Sequence, residues 1–264
     1  MKIQTEILEL SDRHAKFVVE GVHPYFVNAL RRVLLAEVPK LAIDKVTLYD
    51  NTSALFDEIV AHRLGLLPIP TDPSTLSLAG RVDDEGNPEY LVRFTLTKEG
   101  PCTVYSGDLE CDDASFLPAD PKIPIVELLA GQRLILEAEA VLGMGTQHAK
   151  WQASQAVGYK YYPQATVDAK KISKEDAERA VAETPAGILG MEGDQLVILK
   201  PDAVNRADDI QQFLGDAFEV TYNDRKFIFR FETDGALKAE DALLKAVEIL
   251  TERFKAFRDA IADL

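Results

Sequence analysis

An α+β fold, with one platform divided between the two ends of the chain, is predicted by three features of the 264-residue sequence. Residues 1–49 and 217–264 share a texture of alternating apolar strands beside an apolar helical stripe. Residues 50–164 read as an inserted β-rich domain, and residues 165–216 as a small α+β module. The chain ends in a strict heptad seam. Leu243, Val247, Leu250, Phe254, Phe257, Ile261 and Leu264 recur at alternating spacings of four and three, with Lys245, Glu248, Glu252, Arg253, Lys255, Arg258 and Asp259 between them. That is the a/d pattern of a helix lying along another helix, its charged flanks in water. Burying one such side chain stabilises by roughly 1.5–3 kcal/mol, so seven left in water would be costly. Either the chain's own domain covers the seam or a partner chain does.

The elements follow in order. Ile3, Thr5 and Ile7, then Phe17 and Val19, alternate as two strands around a turn at Ser11-Asp12-Arg13. Pro24 suits the first turn of a helix whose stripe is Phe26, Val27, Leu30, Val33, Leu34 and Val38, and Pro39 stops it. Leu41 to Tyr49 reads as a strand. In the insertion, Asp57 to Leu66 is a short polar-capped helix, and Leu91–Leu96 and Arg133–Ala138 are strands. In the module, Ser173-Lys174-Glu175-Asp176 is a capping box opening a helix that ends before Pro185. Leu196 to Leu199 is a short buried strand, and Ala207 to Phe213 a second helix. Finally, Phe218, Val220 and Tyr222 run up to a turn at Asn223-Asp224, and Phe227, Phe229 and Phe231 return from it. Thr233-Asp234-Gly235 then caps the heptad helix.

Composition narrows the function. With 44 acidic against 29 basic residues the net charge is −15, a surface that phosphate backbones repel. Direct nucleic-acid binding is therefore not expected; basic protein partners are. No apolar run of about 18 residues is present to span a membrane, and the first residues lack a signal-peptide core. Two cysteines, Cys102 and Cys111, make no disulfide framework and match a reducing cytoplasm.

Three stretches carry a resemblance. Asn28-Ala29-Leu30-Arg31-Arg32-Val33-Leu34-Leu35-Ala36-Glu37-Val38-Pro39 resembles the helix of the RNA polymerase assembly subunits, a family that includes the archaeal D-type, the eukaryotic third-largest and the bacterial alpha polypeptides. Asn51-Thr52-Ser53, Asp57-Glu58 and Ala61 to Pro70 resemble the family's next signature, and Gly143 to Trp151 a third, in the same order. The resemblance extends over essentially the whole chain. It implies a split dimerisation platform that pairs with a small subunit called L, and no polymerase active site on this chain. The interface with L would comprise Phe26, Leu30, Val33, Leu34, Leu243, Val247, Leu250, Phe254, Phe257, Ile261 and Leu264. The large catalytic subunits would dock on Asn28, Arg31, Arg32, Asp57, Glu58 and Arg63. His148, Lys150 and Trp151 would contact the small zinc-binding subunits N and P or the inserted domain. In many archaeal relatives the third section is a ferredoxin-like module with an iron–sulfur cluster. Such clusters need thiolates, and residues 165–216 contain no cysteine. The module is expected to fold without a cluster, on Ile172, Val181, Ile188, Leu196, Ile198 and Phe213.

Other chemistry is thinly signalled. Glu58 and His62 stand four apart on a helix, but HExxH is absent and zinc wants three or four ligands. His148 suits a hydrogen bond in a buried loop beside Trp151. Gly143-Met144-Gly145 lacks the third glycine of a dinucleotide fingerprint and reads as a turn where backbone approaches a neighbour. Three classes compete: a polymerase assembly subunit, a homodimeric interaction protein outside transcription, and a metal-dependent hydrolase around Glu58, His62 and His148.

Overall fold

The computed structural model describes residues 3–168, 171–193, 195–200 and 214–262. In chain order the elements are β1 (Gln4–Leu10), β2 (His14–Glu20), α1 (Pro24–Ala36), β3 (Lys40–Asn51), α2 (Asp57–Gly65), β4 (Leu91–Glu99), β5 (Cys102–Tyr105), β6 (Pro124–Leu128), β7 (Arg133–Gly143) and β8 (Ser154–Val167). Then come α3 (Lys174–Glu183), β9 (Leu189–Glu192), β10 (Gln195–Ile198), β11 (Phe218–Thr233) and α4 (Ala239–Ala262). The expected helix over Ala207 to Phe213 lies outside the described residues. None of the described helices is long and apolar enough to cross a membrane.

The chain divides into two units. One gathers Met1–Leu8, Lys16–Asn28 and Gly158–Phe229; the other gathers Glu9–Ala15, Ala29–Val157 and Arg230–Leu264. The first is built on a four-stranded sheet ordered β1-β2-β11-β8. Phe17, Phe227 and Phe229 are buried in it: Phe17 stacks on Phe229 at 5.2 Å between ring centres, while the half-buried Tyr159 and the exposed Tyr161 lie 5.9 and 5.1 Å from Phe227. At its edge, Ile3 and Ile7 of the β1 region remain exposed.

The hairpin expected at Asn223-Asp224 is absent: β11 runs unbroken through it. A two-residue turn there would want glycine and positive φ, which Asn-Asp-Arg does not supply. Instead the Asn223 side chain accepts from the Arg225 N–H at 2.9 Å, and the Arg225 carbonyl accepts from the Gly21 N–H at 2.8 Å. The strand is thus held extended through the polar residues.

In the same unit α3 opens as its capping box requires, with the Ser173 hydroxyl accepting from the Asp176 N–H at 3.1 Å. Ala177, Ala180, Ile188, Leu189, Leu196, Leu214 and Phe218 form the buried cluster beneath it, with Ile172, Val181 and Ile198 packed against them. Five of the six apolar residues expected to hold this module therefore do so; Phe213 lies outside the described residues. β10 is not the buried strand expected. In a two-stranded sheet only one face meets α3, so Leu196 is buried while Leu199 is exposed. The chain's two cysteines, Cys102 and Cys111, stand outside this unit, and apolar side chains fill its centre. An iron–sulfur cluster does not fit these residues.

The second unit contains a three-stranded sheet, β3-β7-β4, and a two-stranded one, β5-β6. β3 pairs with β7 from Lys40↔Gly143 to Asn51↔Leu134, so the strand expected in the platform and one expected in the insertion share a sheet. Alternation is strict on β4 and β7: Val92, Phe94, Leu96, Leu134, Leu136, Ala138, Ala140 and Leu142 point inward. The solvent face carries a cross-strand ladder, Lys45–Glu139–Arg93, with ion contacts of 3.6 and 3.5 Å. Beside it, a hydrogen bond to Glu137 holds the exposed Tyr49 phenol above its ordinary pKa.

Ala156, within β8, has φ of +51°, left-handed backbone that disfavours any side chain with a Cβ. Ala156→Gly is expected to stabilise the protein by about 1 kcal/mol, raising the melting temperature by roughly 2–4 °C in calorimetry. A lower melting temperature would show that the methyl group's packing outweighs the strain.

Candidate functional site

The heptad helix begins later than its expected cap. Thr233 is the last residue of β11 and donates its N–H to the Arg13 carbonyl at 2.9 Å, while Asp234 accepts from the Ala236 N–H and pairs with Lys40. Gly235 sits at φ +97°, where a Cβ would strike the Arg13 guanidinium. The turn therefore belongs to the approach, and α4 starts at Ala239, whose N–H reaches the Asp12 carbonyl at 2.8 Å.

The inner face of α4 is small: Ala239, Ala242, Ala246 and Leu250 are buried. Its other apolar side chains are not. Leu243 is half-buried, Val247 is exposed, and beyond Leu250 every described residue of the helix is exposed. Phe254 is 58 %, Phe257 65 % and Ile261 52 % accessible. Leu264 lies outside the described residues. The chain thus covers the start of its seam and leaves the last three turns bare, an apolar stripe of the kind that marks an interaction surface. An ion pair links the helix to the residue that follows α1: Arg253 reaches Glu37, with Nη1–Oε1 at 3.2 Å, and that hydrogen bond raises the Arg253 pKa further.

The expected contribution of α1 to the same interface differs. Leu30, Val33 and Leu34 are buried in the chain's own core and Phe26 is half-buried. The first three have almost no surface left to offer, because α1 turns its apolar stripe inward. Of the polar residues on α1, Arg32 is exposed while Asn28 and Arg31 are half-buried.

On α2, Val60 and Leu64 are buried against the unit's core. The polar cap expected here is missing: Phe56 stands at the N-cap, and Asp57 lies inside the first turn. Asn51 does the ordering instead, donating to Asp57 Oδ1 at 2.7 Å and to the Leu55 carbonyl at 3.0 Å. Arg63 donates to the Pro124 carbonyl at 2.6 Å, tying α2 to β6. Glu58 and His62 remain exposed on the helix surface. Among the described residues no three His, Cys, Asp or Glu side chains converge as a metal site.

The third signature forms a folded loop. Gly143 allows the indole of Trp151 to lie against the backbone; a Cβ there would stand within 2.7 Å of three indole atoms. Gly145 likewise lets the loop approach the Leu35 carbonyl, and Thr146 donates to the Ala36 carbonyl at 2.9 Å. Trp151 Nε1 donates to the Val141 carbonyl at 3.1 Å. His148 is exposed rather than buried, and its Nδ1 accepts from the Lys150 N–H at 3.1 Å. Lys150 pairs with Asp44 at 2.6 Å and lies over the Trp151 ring at 4.3 Å. The buried Lys40–Asp234 pair had no sequence signal, since its members are 194 positions apart.

A helix whose apolar face the chain leaves bare over its last three turns marks a chain built to pair with another. The chain belongs to the RNA polymerase Rpb3/Rpb11 dimerisation domain family, whose model matches residues 16–254. It is 42 % identical to DNA-directed RNA polymerase subunit Rpo3 of Methanosphaera stadtmanae, over 94 % of each chain. The Rpo3 subunits of Methanosarcina acetivorans and Pyrococcus furiosus are 41 % and 40 % identical, over 95 % of each chain and over 97 % and 95 % respectively.

Proposed function

We propose that this chain is a non-catalytic assembly subunit of a multisubunit DNA-directed RNA polymerase, pairing with the small L subunit through the outer face of α4. The observation that carries this reading is the bare stripe Phe254–Phe257–Ile261 in a chain of this family. A homodimer outside transcription would use the same stripe, but the family membership favours the polymerase. The heterodimer then holds the large catalytic subunits through Asn28, Arg31, Arg32, Asp57, Glu58 and Arg63. Of these, Arg32, Asp57, Glu58 and Arg63 are exposed, although Asp57 already accepts from Asn51 and Arg63 already donates to β6. Subunits N and P meet the loop around His148, Lys150 and Trp151. The protein works in the cytoplasm without a cofactor, and its net charge of −15 keeps it off nucleic acid.

Affinity purification of the tagged chain from native cells, followed by peptide mass spectrometry, tests the reading. Two large polymerase subunits and a small L-like chain are expected; recovery of the chain alone, or of its own copies, would overturn it. Arg31→Ala with Arg32→Ala is expected to leave the pair with L intact and to lower large-subunit recovery at least tenfold. The reason is that a guanidinium fork matches interface carboxylates and carbonyls. Equal recovery would remove these arginines from the docking surface.

A further inference from the structure

α2 carries two apolar faces. Val60 and Leu64 are buried on one. On the other, Phe56, Ile59 and Leu66 follow the helical period with Arg63 among them, and they are 78 %, 45 % and 51 % accessible. Among the described residues no large apolar side chain is more exposed than Phe56. A loose loop could fold such a ring under the chain, but this one is tied down. The Asn51 amide donates to the Leu55 carbonyl at 3.0 Å and to Asp57 Oδ1 at 2.7 Å, while its oxygen accepts from the Ser53 N–H at 3.2 Å. Thr52 donates its N–H to the Arg133 carbonyl at 3.0 Å, and its hydroxyl accepts from the Arg133 N–H at 2.7 Å. The Phe56 carbonyl accepts from the Ile59 and Val60 N–H groups at 3.0 and 3.1 Å. Hydrogen bonds thus fix the backbone on either side of a ring left in water.

Binding energy concentrates on such aromatic anchors, and a backbone already ordered loses little freedom when a partner arrives. The rim narrows the occupant. Asp57 and Glu58 are exposed beside Phe56, and the hydrogen bond to Asp57 comes from an uncharged amide, so this end of the stripe is negative. At the other end Arg63 donates to the Pro124 carbonyl rather than to a carboxylate. A second copy paired symmetrically about Phe56 would bring the same acids against acids, which repel. We propose that Phe56, Ile59 and Leu66 are the apolar anchor by which a large catalytic subunit holds this chain. Phe56 enters an apolar hollow of that subunit, and a basic side chain at the hollow's edge meets Asp57 and Glu58. This inference rests on the assembly reading, which docks the large subunits on Asp57, Glu58 and Arg63 of the same helix. It makes that contact one centred on apolar side chains, with the polar residues as its rim.

The test places a photocrosslinker at the anchor, Phe56→p-benzoylphenylalanine, in the natively assembled complex, and reads the link by peptide mass spectrometry after irradiation. A link to a large catalytic subunit is expected. A link to L, to a small subunit or to a second copy, or no link at all, in a complex that holds both large subunits, would overturn the proposal and leave the assembly reading standing. Phe56→Ser with Ile59→Ser is expected to lower large-subunit recovery roughly tenfold or more, with L still bound and the melting temperature of the chain nearly unchanged. Equal recovery would likewise overturn the anchor. An unsubstituted chain that brings down no polymerase subunit would overturn both readings.

Discussion

Phe254→Asp is expected to separate the chain from its partner while leaving the chain itself folded. In the chain alone Phe254 is 58 % accessible, and substitutions at such exposed positions usually change stability by no more than about 0.5 kcal/mol. Along a helix–helix seam the same side chain would be covered, and an aspartate there would be a charge without a counterion. A buried charge left uncompensated costs roughly 3–5 kcal/mol. At about 1.4 kcal/mol per tenfold, affinity for the partner should fall at least a hundredfold. The measurement is co-purification with the small L chain, paired with a thermal melt of the variant alone. Unchanged co-purification would remove the outer face of α4 from the interface. A large fall in the melting temperature of the isolated variant would mean that Phe254 is packed within the chain after all.

Gly143→Ala should damage the chain from within. The added methyl would stand inside 2.7 Å of three indole atoms of Trp151, a ring that is itself buried and tied to the Val141 carbonyl. Overpacking of this kind costs about 1–3 kcal/mol, which lowers the melting temperature of a chain this size by roughly 2–10 °C. Trp151 is the single tryptophan, so its emission reports the displacement directly. Gly158→Ala is the control: a Cβ there meets no atom within 4 Å, and neither melting nor emission should move much. Equal behaviour of the two variants would show that the indole yields without cost.

How much of this could be read beforehand depended on range. Strand and helix identities followed from apolar spacing, because a side chain's direction is set by its place in a period of two or about 3.6. Hence β1, β2, α1, β3, β4, β7 and α3 lie where the residues put them, within a few positions. The turn at Asn223-Asp224 failed for the same local reason. Polar residues between two apolar runs suggest a reversal, yet hydrogen bonds to Gly21, some two hundred positions away, keep the strand straight. The strand over Leu196 to Leu199 looked buried because apolar content says nothing about how many faces a sheet will have covered.

The interaction surface shows the same boundary. From the sequence alone came the heptad seam, its charged flanks, the lack of cysteines in the module, and an acidity unsuited to nucleic acid. These are properties of composition and spacing, carried by the chain whatever its fold. Only the tertiary structure decided which part of the apolar surface is left over. It turned Leu30, Val33 and Leu34 inward, laid the alanines of α4 on the chain's own core, and left Phe254, Phe257 and Ile261 in water. It also brought Lys40 beside Asp234. Burial is a sum over contacts between distant residues, so no local pattern encodes which of two apolar helices keeps a bare face.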